Sequence, residues 1–542
     1  MQKDSFLKGT IVASIAIIIS KILGVLYVIP FYKIIGESGG VLYSYAYNIY
    51  NLFLNISTAG IPIALSMIIS EYMALNMYDA KERTFKEGKK VILTLSIISF
   101  LVLFVLSDFI AMFMVRGIEG ASPINDISLV IKTISIALII TPYISVLRGY
   151  LQGHKFISPG SISQVWEQII RIIVIIFGSY ISINVFNSSI PIGVSVALSG
   201  AFFGALGAYI YLKIKIRRNK NLFENAIKKD KVSNKDIRKK ILYYCIPLII
   251  ISVTNDLYNI VDMKLIIKGL YMIGYSAETS ELIASIICTW VPKICMIISA
   301  ISMGLVTSLI PHLIESYTKK DYKQSNDIFN RAISTMLVIA LPLTIGIIVL
   351  SKEVYYIFYG ASEYGPKVLA MGTIVTLWIG TLTVMNTAMQ GFKKFKLVII
   401  STIIGLAINT ILDIPLILLL NKIGLTPYFG TMISSVIGAT ISALIILIYL
   451  KTKFKFTYKF IKKNLRRMAF PLILMTLITI LLNHFLGFSE SKFFVLAKCL
   501  LIGIVGALTY LSIMYKTKGL ELSFGKDTIE NIMQKLHIKK VN

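Results

Sequence analysis

Long apolar runs, each near or above the roughly 20 residues needed to cross hydrocarbon, alternate with short polar segments along the chain. Fourteen spans follow from this pattern, at about 9–35, 41–75, 91–115, 128–152, 157–185, 190–214, 241–268, 281–316, 331–357, 366–391, 395–420, 427–450, 468–487 and 492–515. Helix is the state they require. An open strand would leave its amides unpaired in lipid, and a membrane barrel would alternate polar and apolar residues, which these runs do not. Pro30, Pro62, Pro142, Pro247, Pro292, Pro311, Pro342 and Pro415 fall inside spans and should kink or interrupt them.

The fold class is therefore all-α integral membrane. Hydrophobic residues make up 56% of the 542 and charged ones 15%, against about 25% charged in a soluble chain. The first run is too long for a signal-peptide core and has no small-residue cleavage pattern, so it is read as the first membrane helix. Cys245, Cys288, Cys295 and Cys499 lie within apolar runs without a CxxC pair, which supports neither a disulfide framework nor a zinc site.

A net charge of +28 would suggest nucleic acid in a soluble protein. Here the Lys and Arg residues concentrate in segments 76–90, 213–240, 317–331, 392–396 and 451–467 and in the two tails, whereas 181–190 has none and 116–127 only Arg116. This is the positive-inside distribution, and it predicts a multi-pass membrane protein with both termini cytoplasmic. Membrane lipids are the expected partners of the basic segments, with no nucleic acid.

The chain also echoes itself. Gly60 to Glu71 resembles Gly304 to Glu315, and Gln152 to Phe156 resembles Gln390 to Phe395, at offsets of 244 and 238 residues. Two pseudo-symmetric six-helix lobes follow, 1–214 and 241–450, joined by a basic linker at 215–240. A basic loop at 451–467, a terminal helix pair at 468–515 and a tail at 516–542 complete the organisation.

Ionisable side chains within spans carry the sharpest chemical signal. Lys21, Glu167, Arg171, Asp256, Asp262, Lys293 and Asp413 would together cost roughly 20 kcal/mol if they faced lipid, so most must pair or face a wet cavity. Ser44, Asn48, Asn51, Asn55 and Thr58 form a single polar helical face, which suits either a hydrated passage or interhelical hydrogen bonding. Gln164, Glu167, Gln168 and Arg171 share another face, with Glu167 and Arg171 at ion-pair spacing. Asn255, Asp256, Asn259 and Asp262 on the seventh span are ion-coupling candidates; an Asp262–Lys293 bridge is the structural alternative. Lys21 has no carboxylate within a turn of its helix and is a candidate for an anionic ligand.

Enzyme signals are weak by comparison. The four histidines are dispersed, no phosphate loop or GxSxG motif is present, and no polar segment is long enough to fold as a catalytic domain. No metal or cofactor is expected.

Several motifs resemble a known family. Ser20-Lys21-Ile22-Leu23-Gly24, Ser57-Thr58-Ala59-Gly60-Ile61-Pro62 and especially Leu147-Arg148-Gly149-Tyr150-Leu151-Gln152-Gly153-His154, followed by Pro159 and Ser163-Gln164-Val165-Trp166-Glu167-Gln168, are similar to the MurJ/SpoVB/YtgP group of lipid-linked oligosaccharide flippases, in the MATE-like MOP superfamily. The resemblance covers essentially the whole chain. It implies alternating-access export, across the bacterial cytoplasmic membrane, of an undecaprenyl-diphosphate-linked cell-wall precursor, lipid II, with the prenyl tail along a groove at the terminal helix pair. Lys21 stands where the family usually has an arginine that meets the diphosphate; lysine keeps the charge and loses the bidentate fork. Arg171 and Lys293 are this chain's own further phosphate candidates, while Gln164, Glu167, Asn48, Asn51 and Asn55 are candidates to line the cavity. The rival functions are export of another lipid-linked polysaccharide unit, a MATE-type drug/cation antiporter, a membrane-embedded transferase and a noncatalytic scaffold. Protons, sodium ions and the membrane potential are the three candidate driving forces.

Overall fold

The computed structural model describes residues 15–16, 19–219, 230, 232–524 and 529–530, with backbone alone at 303 and 305–311. The start of the first predicted span, most of 220–231, the side chain of Pro311 and most of the tail after 524 lie outside the described residues.

Among the described residues the chain is helical throughout, and thirteen segments are long and apolar enough to cross a membrane. The first of them, Ile19–Ala74, holds the second predicted span and the part of the first from Ile19 on, so the thirteen segments correspond to the fourteen predicted spans. Gly36 separates the two with φ 67° and ψ −170°, a conformation open to glycine and costly for other residues.

Several helices begin earlier than apolar composition indicates. Tyr78–Val105, Tyr322–Val349 and Lys459–Leu486 each start inside a basic segment read from the sequence as a connection. Lys, Arg and Glu are good helix formers, so the polar segments extend the helices beyond the apolar part. The first of these extensions is clasped by the end of the linker. Arg83 pairs with Asp79 at 2.9 Å and Asp230 at 2.5 Å, Arg238 pairs with Glu87 at 2.5 Å, and Lys240 pairs with Glu71 at 2.7 Å.

Proline acts in two ways. Pro247, Pro342 and Pro415 sit inside continuous helices, whereas Pro62, Pro142 and Pro292 each occupy the first turn of a new helix after a break in the span. The break before Pro62 is Gly60, with φ 75°; a Cβ there would lie 2.9 Å from the Leu248 side chain. The break before Pro292 is a π-helical turn, Ile286–Trp290.

The chain folds as two compact units, Met1–Thr289 and Trp290–Asn542. In the first, the buried core gathers Leu65, Ile68, Ile92, Ile144, Leu151 and Leu212 from spans two, three, four and six. Close backbone approaches hold it together. A Cβ at Gly149 would meet Pro62 Cα at 2.9 Å, and one at Gly204 would meet the Glu167 carbonyl oxygen at 2.6 Å. Gly200 and Gly204, one turn apart, thus let the sixth span ride against the fifth. In the second unit, the terminal helices pack on Tyr322–Val349 through Val338, Met468, Met475, Tyr510 and Met514.

A cationic cluster shared around one glutamate is the candidate functional site

The fourth and fifth spans form a helical hairpin, and their facing sides bring three charges together. Glu167 accepts from Arg148 Nη2 at 2.8 Å and from Arg171 Nη2 at 2.7 Å, using one carboxylate oxygen for each. Arg148 Nε also donates to Ser163 Oγ at 2.9 Å. Two guanidiniums share one carboxylate, which leaves the cluster a net charge of plus one. Partial exposure of all three side chains, 20% for Arg148, 12% for Glu167 and 26% for Arg171, leaves them accessible to more than each other.

Arg171 also lies in the electrostatic reach of Tyr43, Tyr47 and Tyr50 on the second span. Its Nε is buried without a hydrogen-bond acceptor among the described residues, so the guanidinium holds a donor in reserve. The first span approaches the same face: a Cβ at Gly24 would stand 3.4 Å from Gln168 Nε2, and Lys21 lies one turn before Gly24. Lys21 is half-buried and has no ion pair among the described residues. Gln164 is half-buried on the Gln168 side of its helix. Arg148 entered the sequence reading only through the family-like block and not as a candidate charge, and Tyr43, Tyr47 and Tyr50 did not enter it. Arg148 lies inside the fourth predicted span, so its intramembrane charge was itself the available signal.

The polar stripe of the second span divides into two parts. Ser44 and Asn48 are buried and bonded across helices, with Ser44 Oγ 2.6 Å and Asn48 Nδ2 2.9 Å from Thr289 Oγ1. Asn51 is half-buried without a side-chain hydrogen bond among the described residues. Asn55 Nδ2 donates to Asp256 Oδ2 at 2.7 Å, while Thr58 caps its own helix at the Leu54 carbonyl. Asn255 and Asn259 are exposed and Asp262 is buried on the same seventh-span helix.

Sequence reasoning also missed other buried charges, among them Glu281, Glu353 and Lys498. Glu281, 3% exposed, accepts from Tyr45 Oη at 2.9 Å and from the Ser122 amide and hydroxyl at 3.0 and 2.7 Å, tying the connection before the fourth span to the second span. In the second unit, Lys498 donates to Glu353 at 2.9 Å with both side chains buried, and to the Gly487 carbonyl. The side-chain pairings of Glu281 and of Lys498 with Glu353 need contacts over more than a hundred residues, for which local spacing carries no signal.

Lys293 belongs to the second unit. It is 7% exposed, with its ammonium 4.5 Å from the centre of the Trp290 ring, and Tyr359 Oη fixes that turn by donating to the Trp290 carbonyl at 2.7 Å. Asp413 is fully buried and accepts from Ser434 Oγ and from Asn409 Nδ2. An apolar cavity of about 390 Å³ opens between Tyr322–Val349 and the terminal helices, walled by Pro342, Leu343, Gly346, Met475, Gly503 and Gly506. Among the described residues no three His, Cys, Asp or Glu side chains converge as a metal site.

Residues 6–279 match the family model described as "Polysaccharide biosynthesis protein". The chain is 30% identical over 538 residues to the lipid II flippase MurJ of Bacillus subtilis (strain 168), covering 97% of this chain and 98% of that one. Among solved structures, a lipid II flippase MurJ in an inward closed conformation aligns with a TM-score of 0.60 at 18% identity, over 93% of this chain and 99% of that one. An inward-facing multidrug resistance MATE family transporter of the MOP superfamily aligns with a TM-score of 0.64 at 15% identity, over 82% and 98%. With half the chain inside the family model and nearly all of it aligned to MurJ, this multi-pass membrane protein belongs to the polysaccharide biosynthesis family, in its MurJ group, and has the fold of the MOP superfamily.

Proposed function

We propose that this protein is a flippase that carries an undecaprenyl-diphosphate-linked cell-wall precursor, lipid II, across the bacterial cytoplasmic membrane by alternating access, with both termini cytoplasmic. The observation that carries this reading is the excess positive charge of the Arg148–Glu167–Arg171 cluster, with Lys21 on the adjoining helix. Burying cations is costly unless an anion compensates them, and a diphosphate supplies that anion only while it is bound.

Each part of the substrate has a chemical counterpart. Lys21 and Arg171 meet the diphosphate, with Arg148 holding Glu167 so that Arg171 is not neutralised one to one, and Lys293 is a further phosphate-binding candidate by its charge. Asn51, with its unused amide, and Asn55 face sugar or peptide, and the apolar cavity beside the terminal helices takes part of the prenyl tail. Alternating access opens this site to each side of the membrane in turn, driven by protons, sodium ions or the membrane potential, with Asp256, Asp262, Asn255 and Asn259 as the coupling group.

Lys21→Ala is expected to abolish rescue of a flippase-deficient strain while the protein still reaches the membrane, and Lys21→Arg to restore it. Normal growth of the alanine strain, with normal precursor export, overturns the role of Lys21. Depletion of the protein should leave lipid II accumulating on the cytoplasmic face. A second reading, a cation-coupled drug antiporter, draws on the Asp256 carboxylate, whose hydrogen-bond partner is the neutral Asn55. Uptake of a cationic dye into vesicles, abolished by Asp256→Asn, would favour it.

A further inference from the structure

The thirteenth span begins with a charged face that the transport site does not use. Lys459, Lys462, Lys463, Arg466 and Arg467 recur at intervals of three and one, so they occupy one side of the helix Lys459–Leu486 across two turns. Together they wall a concavity of about 410 Å³. Among the described residues none of the five pairs with a carboxylate; Arg467 reaches only the Lys518 carbonyl, at 3.3 Å.

Five like charges at such spacing repel one another and weaken the helix unless a counter-anion sits among them. Setting membrane topology does not demand this arrangement. Lys451, Lys453 and Lys455 already supply a positive excess to the same segment, and topology is indifferent to which side of a helix the charge occupies.

The same side of the helix continues as an apolar face. Phe470 is one turn beyond Arg466, followed by Ile473 and Leu477, and these are 62%, 60% and 53% exposed. The opposite side is committed to the protein: Asn464 donates to Ser523 Oγ at 2.7 Å, Met468 and Met475 are buried, and Met475 and Thr479 wall the apolar cavity. One helix therefore presents a cation cluster followed by exposed apolar residues on its outer side, and the cavity on its inner side.

We propose that this outer face is a binding site for a resident anionic phospholipid, separate from the cavity for the substrate tail. Its phosphodiester sits among Lys462, Lys463 and Arg466, and its acyl chains lie along Phe470, Ile473 and Leu477. The arginine fork engages two phosphate oxygens and the lysines act as point charges. A diacyl lipid satisfies both halves of the face at once, which free phosphate does not.

The test uses the full-length protein and native mass spectrometry, with phosphatidylglycerol and phosphatidylcholine as probes. Each basic side chain removed should cost roughly fivefold in affinity, so the triple variant Lys462→Gln/Lys463→Gln/Arg466→Gln should hold phosphatidylglycerol roughly 100-fold more weakly. Lys323→Gln, an exposed lysine elsewhere, should leave retention unchanged. Equal retention by the triple variant, or phosphatidylcholine held as firmly as phosphatidylglycerol, overturns the proposal. Displacement by undecaprenyl diphosphate assigns the face to the substrate, and displacement by inorganic phosphate reduces it to an unspecific anion site; either overturns it. Should the triple variant fail to fold, a salt titration of the unaltered protein decides, because retention that ignores ionic strength contradicts a charge-held headgroup.

Discussion

The central cluster permits a charge-counting experiment on three variants. Glu167→Gln leaves two facing guanidiniums without their shared carboxylate; Arg171→Gln leaves a neutral Arg148–Glu167 pair; the double variant returns the cluster to a net charge of plus one through Arg148 alone. Contacts of 2.7 and 2.8 Å with exposures of 12% to 26% place these pairs between an exposed ion pair, about 0.2–1 kcal/mol, and a buried one whose rupture costs about 3–5 kcal/mol. A coupling of about 2 kcal/mol between Glu167 and Arg171 follows, and it should be smaller in high salt. Cys245, Cys288 and Cys295 are buried, so labelling with a thiol-reactive dye on heating reports unfolding of each variant. Stability should fall most for Glu167→Gln and recover in the double variant. Precursor export should follow charge, failing in Arg171→Gln and returning in part in the double variant. If Arg171→Gln exports at the normal rate from a neutral cluster, the positive excess serves no substrate and the pair is only a clasp between helix turns.

Other perturbations test the supports of the site. Gly204→Leu forces a side chain against the Glu167 carbonyl, and overpacking of about 1–3 kcal/mol or more should reduce the yield of monodisperse protein, whereas Ala at exposed Gly503, with open space around it, should not. Glu353→Ala strands a buried lysine and should cost about 3–5 kcal/mol by the same dye assay, with Lys498→Met in the same chain recovering most of it. Glu281→Gln retains the shape but weakens the acceptor for Tyr45 and Ser122. A loss of about 1–2 kcal/mol should appear as faster hydrogen exchange in residues 116–123.

Membrane helices were legible because lipid forces backbone hydrogen bonds inward, so an apolar run of sufficient length leaves little else for the chain to do. Their polar ends were not, since Tyr78 to Lys90 continues as helix with the composition of a solvated loop. At the site, the Glu167–Arg171 pairing was visible as an i, i+4 spacing within one helix. Arg148 reaches the same carboxylate only because a hairpin folds the fourth span onto the fifth, across 19 residues of sequence. The hydrogen bond from Asn48 to Thr289 spans 241 residues. An amide in a polar stripe looks the same from sequence whether it meets a neighbouring helix, as Asn48 does, or keeps its amide unused, as Asn51 does.

The π-helical turn Ile286–Trp290 contains the division between the two compact units, and Lys293 lies in the first turn of the helix that follows. A π turn stores one residue more than an α turn. Were that surplus to slide along the helix, the residues between its old and new positions would swivel by about 100°, the angle of a single residue, while their backbone stayed hydrogen-bonded. A helix joined in this way can re-aim its lysine without coming apart.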